Sequence, residues 1–236
     1  GMIFAHEDFL ELHPSARVVM RRDRQKKKVA LISGGGSGHE PLHVGYVGYG
    51  MLDAACPGEI FTSPTPDQMY EAAKATDRGQ GILFIVKNYT GDTMNFSIAV
   101  DLLTTEGYSV EQAVIADDVA VKDSLYTAGR RGVGGTVFVE KIVGAKAEEG
   151  ASLEELKKLC EKVSSNVRSM GVALTSPTAP ALGKPTFEIA ADEMEVRIGI
   201  HGEPGRERVK MQTAREIVEI MAKAVVEDLP FVAGDQ

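Results

Sequence analysis

The chain has 236 residues, 26 basic and 34 acidic, for a formal net charge of −8, and 43% of it is hydrophobic. That length and apolar content suit one large α/β domain, or one and a half smaller ones, with a sizeable core. The acidic balance argues against a general nucleic-acid binder, and no apolar run approaches the ~18 residues that span a bilayer.

The first residues lack the basic-then-apolar pattern of a signal peptide. Cys56 and Cys160 stand far apart and form no CxxC pair, so neither a disulfide framework nor a zinc site is suggested. Both features fit a reducing cytoplasm. The one dense basic run, Arg21 to Lys28, reads as a solvated loop in preference to a phosphate-steering patch.

Taken in order, apolar runs alternate with amphipathic stretches, as in β-α units around a buried sheet. "KVALISGGG" is a predicted strand running into a glycine turn, and Pro41 stands where a helix could begin. "TPDQMYEAAKATDRG" predicts a helix, with Thr65 as N-cap, Pro66 in the first turn and Gly79 past the end. "GILFIVKNY" is apolar on both faces, as an interior strand should be. A helix is expected from Asp92 to Glu106, stopped by Gly107, and then a strand in "EQAVIADDVAV" that ends at Asp117 and Asp118.

A further helix lies between Gly134 and Gly150, and Ser152 with Glu155 makes a capping box for the next. "GVALTS" is expected to close the region as a strand. Thr175 to Lys184 is rich in proline, threonine and alanine, which sets a boundary between a first α/β lobe (1–180) and a second (181–236). In the second, "MEVRIGIHGEPG" reads as strand and turn, and Thr213 with Glu216 caps a helix running to about Leu229. The fold class is α/β: a β-α-β layered sheet with helices on both faces, plus a partial second α/β lobe.

The glycine turn "ISGGGSGHEP" fails both standard nucleotide patterns. It lacks the Gly-Lys-Ser/Thr ending of a P-loop, and its glycines miss the G-x-G-x-x-G spacing. What remains is a backbone able to approach a small ligand, with Ser37 and His39 as polar groups, or a plain strand-to-helix turn. Taken alone, the segment fits both. Lys87 and Asp92 leave a second strand at its carboxyl edge, the side on which open α/β sheets bind ligands. Asp92 is also in place for a helix N-cap, but Lys87 follows a run of apolar residues, and a buried ammonium needs a partner or a polar cavity. His201 ends a predicted strand before a Gly-Glu-Pro-Gly turn.

Together "SGGGSGHEP", "GEIFTSPTP", "KNYTGDTMNF", "DDVAVKDSLYTAGRRGVGGTV" and "GIHGEPG", in that order, closely resemble the substrate-binding subunit of dihydroxyacetone (glycerone) kinases. The resemblance implies that His201 adds to the ketone carbon of dihydroxyacetone as a covalent hemiaminal. It implies that Asp92 is the general base and His39 a hydrogen-bonding proton acceptor. Gly36, Ser37, Gly38 and Lys87 match positions that hold substrate oxygens, and Ser63 lies nearby. It implies no metal or cofactor in this chain. ADP or ATP with Mg2+ sits on a separate helical, nucleotide-binding kinase subunit, which in many bacteria is recharged by a phosphotransferase system. Asp117 and Asp118 match no metal site of the family. A homodimer is expected, with no nucleic acid or membrane partner. Relatives of the same fold that sense the triose and regulate transcription supply an alternative function. Members of the family start earlier and continue beyond "FVAGDQ", so the second lobe is expected to be incomplete.

Overall fold

The computed structural model describes residues 1–120, 129–178, 180–185, 187–196 and 207–232. Two sheets organise the chain. The first holds six strands: β1 (Leu10–Leu12), β2 (Val19–Arg21), β3 (Ala30–Ser37), β4 (Ala54–Ile60), β5 (Ile82–Lys87) and β6 (Val110–Ile115). Their order is β1-β2-β4-β3-β5-β6. Strands β4, β3, β5 and β6 are parallel, and β1 and β2 extend the edge antiparallel.

Strand β5 is buried along its whole length, and its alternation divides the core. Ile82, Phe84 and Val86 face helices α2 (Pro66–Thr76) and α3 (Thr90–Thr105), with Met69, Ala73, Phe96 and Leu103 packed against them. Leu83 and Ile85 face α4 (Thr136–Glu148) and α5 (Leu153–Asn166) through Val139, Val143, Leu156 and Cys160. Phe84 meets Phe96 edge-on, ring centroids 5.2 Å apart, a geometry that adds to their area burial. The layered α/β fold with helices on both faces is therefore present.

The helix signals are met chemically. Thr65 and Gln68 form a capping box for α2, Ser152 and Glu155 for α5, and Thr213 and Glu216 for the last helix, Ala214–Glu227. Helix α3 begins two residues before Asp92, with Tyr89 as its N-cap residue, so Asp92 sits in the first turn and is not the cap. No α-helix follows Pro41: only a single 3-10 turn, Val44–Tyr46, forms there. Gly45, Gly48 and Gly50 in the following residues weaken any helix.

"GVALTS" does not extend the large sheet. Its strand, β7 (Val172–Ala173), pairs antiparallel with β8 (Glu193–Val196), and β8 with β9 (Glu207–Lys210), in the second sheet. The final helix, α6 (Ala214–Glu227), covers Met194 and Val196 with Ile217, Met221 and Val225. Cys56 and Cys160 are buried free thiols.

The expectation of a solvated loop holds for the middle of the basic run, Arg22 to Lys27, which is exposed or half-buried outside any strand, and fails at its two ends. Arg21 and Lys28 are only 6% and 5% exposed. Arg21 Nη1 donates to Glu148 Oε1 at 2.5 Å and Asp53 Oδ1 at 3.3 Å, and Lys28 Nζ donates to Asp53 Oδ2 at 2.5 Å. Asp53 Oδ2 also accepts the Leu31 amide. The charges were read as a run because they are contiguous in sequence, but Arg21 at the end of β2 and Lys28 in the loop just before β3 turn inward against carboxylates from β4's entry and α4's last turn. Burial alone would raise the Glu148 carboxyl, but the Arg21 hydrogen bond and the Lys28 and Arg21 charges outweigh it and hold it below the usual range. Its contribution to stability is thus present above the unfolded carboxylate value of ~4.3 and is lost as pH falls through the folded value.

Asp53→Ala, which takes away the carboxylate shared by two buried cations and leaves both to Glu148, is expected to cost about 3–5 kcal/mol in urea unfolding. Lys158→Ala, which breaks an exposed pair with Glu154, is expected to cost no more than about 0.5 kcal/mol. Equal losses would contradict the cluster's role.

Candidate functional site

Strands β3 and β5 are neighbours, yet the chain leaves β3 toward β4 and leaves β5 toward β6 on the opposite side. Connections that diverge in this way open a crevice at the carboxyl edge. The glycine turn ends β3 at that crevice, and Lys87 ends β5. Between them lies a pocket of about 470 Å³, lined by Gly36, His39, Phe61, Ser63, Lys87, Tyr89, Asp92 and the Arg131–Gly134 segment among others. A larger open groove of about 840 Å³ beside Phe138, Leu159, Val225 and Phe231 is mostly apolar in its lining. The chemistry-bearing side chains converge in the smaller pocket.

Lys87 and Asp92 are 5% and 3% exposed, with Nζ 3.8 Å from Oδ2. Burial pushes the Lys87 ammonium below its ordinary range, opposed by Asp92 and Glu140. Burial pushes the Asp92 carboxyl above its ordinary range, opposed by Lys87, by a hydrogen bond with Ser63 and by His39. Its place in the first turn of α3 gives it the favourable end of the helix dipole as well. The result is a carboxylate more basic than a solvated one. Lys87 Nζ also lies 5.4 Å from the centroid of the Tyr89 ring, within the range of a cation–π contact.

His39 stands at the mouth, its ring tilted against Phe61 with centroids 5.2 Å apart. Desolvation and then the Lys87 charge lower its pKa, opposed by Glu40 and Asp92. The imidazole is therefore mostly neutral at physiological pH and able to accept a proton. The glycines have a steric reason as well. A Cβ on Gly35 would lie 2.4 Å from Lys87 Nζ, so the lysine reaches the pocket only across a bare backbone.

The opposite wall is built from the segment between β6 and α4. Asp117 accepts from the amides of Val133 (2.8 Å) and Gly135 (2.7 Å) and from the Ser169 hydroxyl. Asp118 accepts from the Arg131 guanidinium and the Ala120 amide. The acidic pair is thus engaged in shaping the wall, and among the described residues no group of three or more His, Cys, Asp or Glu could hold a metal ion.

Of the residues singled out by sequence, Gly36, His39, Ser63, Lys87 and Asp92 meet in this one pocket. Ser37 and Gly38 adjoin it without lining it: the Ser37 hydroxyl donates to the Gly58 carbonyl at 2.7 Å, and the Gly38 amide donates to the Glu40 carboxylate. His201 lies outside the described residues. Sequence reading gave no role to Phe61, Tyr89 or Arg131. The glycines of "GRRGVGG" were the available signal for the Arg131 wall, because Gly132 packs where a Cβ would meet the Ile115 carbonyl at 2.4 Å and the Lys87 Cα at 2.8 Å.

The Dak1 domain family model matches residues 1–236. A PTS-dependent dihydroxyacetone kinase 1, dihydroxyacetone-binding subunit DhaK, from Listeria innocua is 53% identical over the whole chain, which spans 72% of that protein. Among solved structures, the dihydroxyacetone kinase operon co-activator Dha-DhaQ superposes with a TM-score of 0.87 at 36% identity, over 97% of this chain and 70% of that one. The dihydroxyacetone kinase of C. freundii gives a TM-score of 0.81 at 41% identity, over 94% of this chain and 40% of that one.

Gly132→Ala must displace backbone and is expected to cost about 1–3 kcal/mol. Gly134→Ala, with nothing within 4 Å of its Cβ, should stay within about 0.5 kcal/mol of wild type. Thermal melts of the two variants check the tight packing of the wall.

Proposed function

The chain belongs to the Dak1 domain family, and on that premise we propose that it binds dihydroxyacetone and presents it for phosphorylation by a nucleotide-binding partner subunit. The observation that carries this reading is the convergence of Lys87, Asp92, Ser63 and His39 on one pocket at the crevice between β3 and β5. A three-carbon ketone with two hydroxyls offers oxygens to an ammonium, a neutral imidazole and a carboxylate, and little apolar surface. The pocket's polar groups match that chemistry.

In this reading the triose is held covalently on His201. The unprotonated ring nitrogen forms a bond to the ketone carbon, the carbonyl π bond breaks, and the oxygen takes up a proton as the other ring nitrogen releases one. The adduct keeps every atom of the ketone, whereas glycerol, with no carbonyl, cannot form it. Asp92 then accepts the proton of the terminal hydroxyl as its oxygen attacks the donor phosphoryl group, while Lys87 and His39 orient the substrate. The donor, ATP with Mg2+ or a bound ADP first recharged to ATP, rests on the partner: the glycine turn here lacks the lysine and spacing of a nucleotide loop. Such a subunit works in the cytoplasm, as a homodimer.

A second reading, a triose-responsive co-activator without transfer activity, is favoured by the likeness to the operon co-activator. The two separate at Asp92, since a sensor needs no general base.

Mass spectrometry of the protein mixed with dihydroxyacetone is expected to reveal an adduct of the intact ketone's mass, absent in His201→Ala. A folded wild-type chain that forms none would contradict covalent capture. Asp92→Asn should keep the adduct and lower kcat with the partner subunit and donor by about 10²-fold or more. Wild-type adduct with no phosphorylated product would favour the co-activator. Asp92 is held above the ordinary carboxylate range and His39 below the ordinary imidazole range, so the acid limb of the rate should be displaced upward from a solvated carboxylate if Asp92 sets it, and downward from a solvated imidazole if His39 does. Activity should fall as pH drops through it, measured as kcat against pH.

A further inference from the structure

Beneath the pocket lies a buried pair that the reaction outlined above does not use. His43, just before the 3-10 turn, and Glu140, on α4, have side chains 2% and 0% exposed, with Nδ1 2.7 Å from Oε1. The other ring nitrogen, Nε2, is buried and has no hydrogen-bond partner among the described residues. It lies on the side of Lys87: the Cβ position of Gly35 is 2.4 Å from Lys87 Nζ and 3.5 Å from His43 Nε2, so both nitrogens share the space over that bare glycine.

We propose that His43 and Glu140 form a positioning pair for Lys87. Glu140 accepts the Nδ1 proton of His43 and so fixes the tautomer whose Nε2 lone pair is available to the ammonium. The groups that act on the lysine come from several elements. Asp92 on α3 pairs with it directly, Tyr89 offers its ring face, and His39 shares the pocket mouth. Glu140 adds a second negative charge from the opposite side of the sheet.

An ammonium at the end of a fully buried strand loses its hydration and needs acceptors on more than one side. Asp92 must also be free to take a substrate proton, so a support independent of Asp92 keeps the lysine charged and in place throughout turnover. Burial and the Lys87 and His39 charges push His43 well below the usual imidazole range, so its ring is neutral and one nitrogen carries a lone pair. Burial pushes Glu140 well above the usual carboxylate range while the Lys87 charge pulls it down, so its negative charge is fullest on the alkaline side, where Lys87 titrates. The second-layer carboxylate–histidine arrangement sets which nitrogen is free, as in other sites where an outer partner fixes a histidine tautomer.

Removing the Glu140 charge removes one of the interactions that favour the ammonium, so the Lys87 titration should move to lower pH. NMR of side-chain-labelled lysine in the ligand-free protein reads this directly. The alkaline midpoint of Lys87 is expected to fall in Glu140→Gln and in His43→Gln. An unchanged midpoint in either folded variant would overturn the proposal, because a merely structural pair would alter melting and leave the titration alone. Should neither variant fold, nitrogen NMR of wild-type His43 at about pH 8 decides the matter. A proton on Nδ1 supports the pair, and a proton on Nε2 refutes it.

For function the inference rests on the triose reading. Glu140→Gln should weaken dihydroxyacetone binding about threefold to tenfold. A wild-type chain that binds no triose would sink that reading alone, since the lysine titration stands without ligand.

Discussion

A cation at the end of an interior strand is the constraint on which the site depends. Strand β5 is buried at every position, and its last residue is Lys87. Placing an ammonium there is unfavourable unless its charge is answered within a few ångströms. Asp92 answers from the first turn of α3, and Glu140 contributes from α4 on the other face of the sheet. The same desolvation that lowers the lysine raises the aspartate, so one burial event prepares both a less strongly held ammonium and a more basic carboxylate. Oppositely perturbed neighbours of this kind mark sites of proton chemistry.

The rest of the architecture serves that arrangement. Parallel pairing of β3 with β5 sets the glycine turn beside the lysine. The absence of side chains in the turn lets Nζ cross the strand end. The wall opposite is held by two buried aspartates that accept backbone amides and a guanidinium. A second anchor comes from α6's end, where Asp228 takes the Arg130 and Arg168 guanidiniums and ties the last helix to the wall segment. The pocket's outline therefore depends on contacts made by the second sheet's own helix.

Much of this was legible in the sequence because the signals are local. Two capping boxes, the Thr65 N-cap, the doubly apolar strand and the position of Lys87 after it follow from spacing and residue type. The ordered family segments identified the pocket residues that spacing could not bring together. What escaped reading was non-local. The inward turn of Arg21 and Lys28 depends on Asp53 and Glu148, one 32 and the other 127 residues from Arg21 in the chain. His43 has no periodicity or motif to distinguish it, and its partner Glu140 is 97 residues away on a helix. Strand β7 looked like its predecessors, but its pairing is decided by β8, which begins at Glu193, far along the chain from Ala173.

The central claim is that this crevice, with Lys87 and Asp92 at its floor, receives a three-carbon ketone. A crystal structure of the protein soaked in dihydroxyacetone tests it most directly. The ligand's oxygens are predicted to lie within hydrogen-bond distance of Lys87 Nζ and the His39 ring, with a terminal hydroxyl against the Asp92 carboxylate. Clear density for the triose elsewhere, with this pocket holding only solvent, would contradict the account.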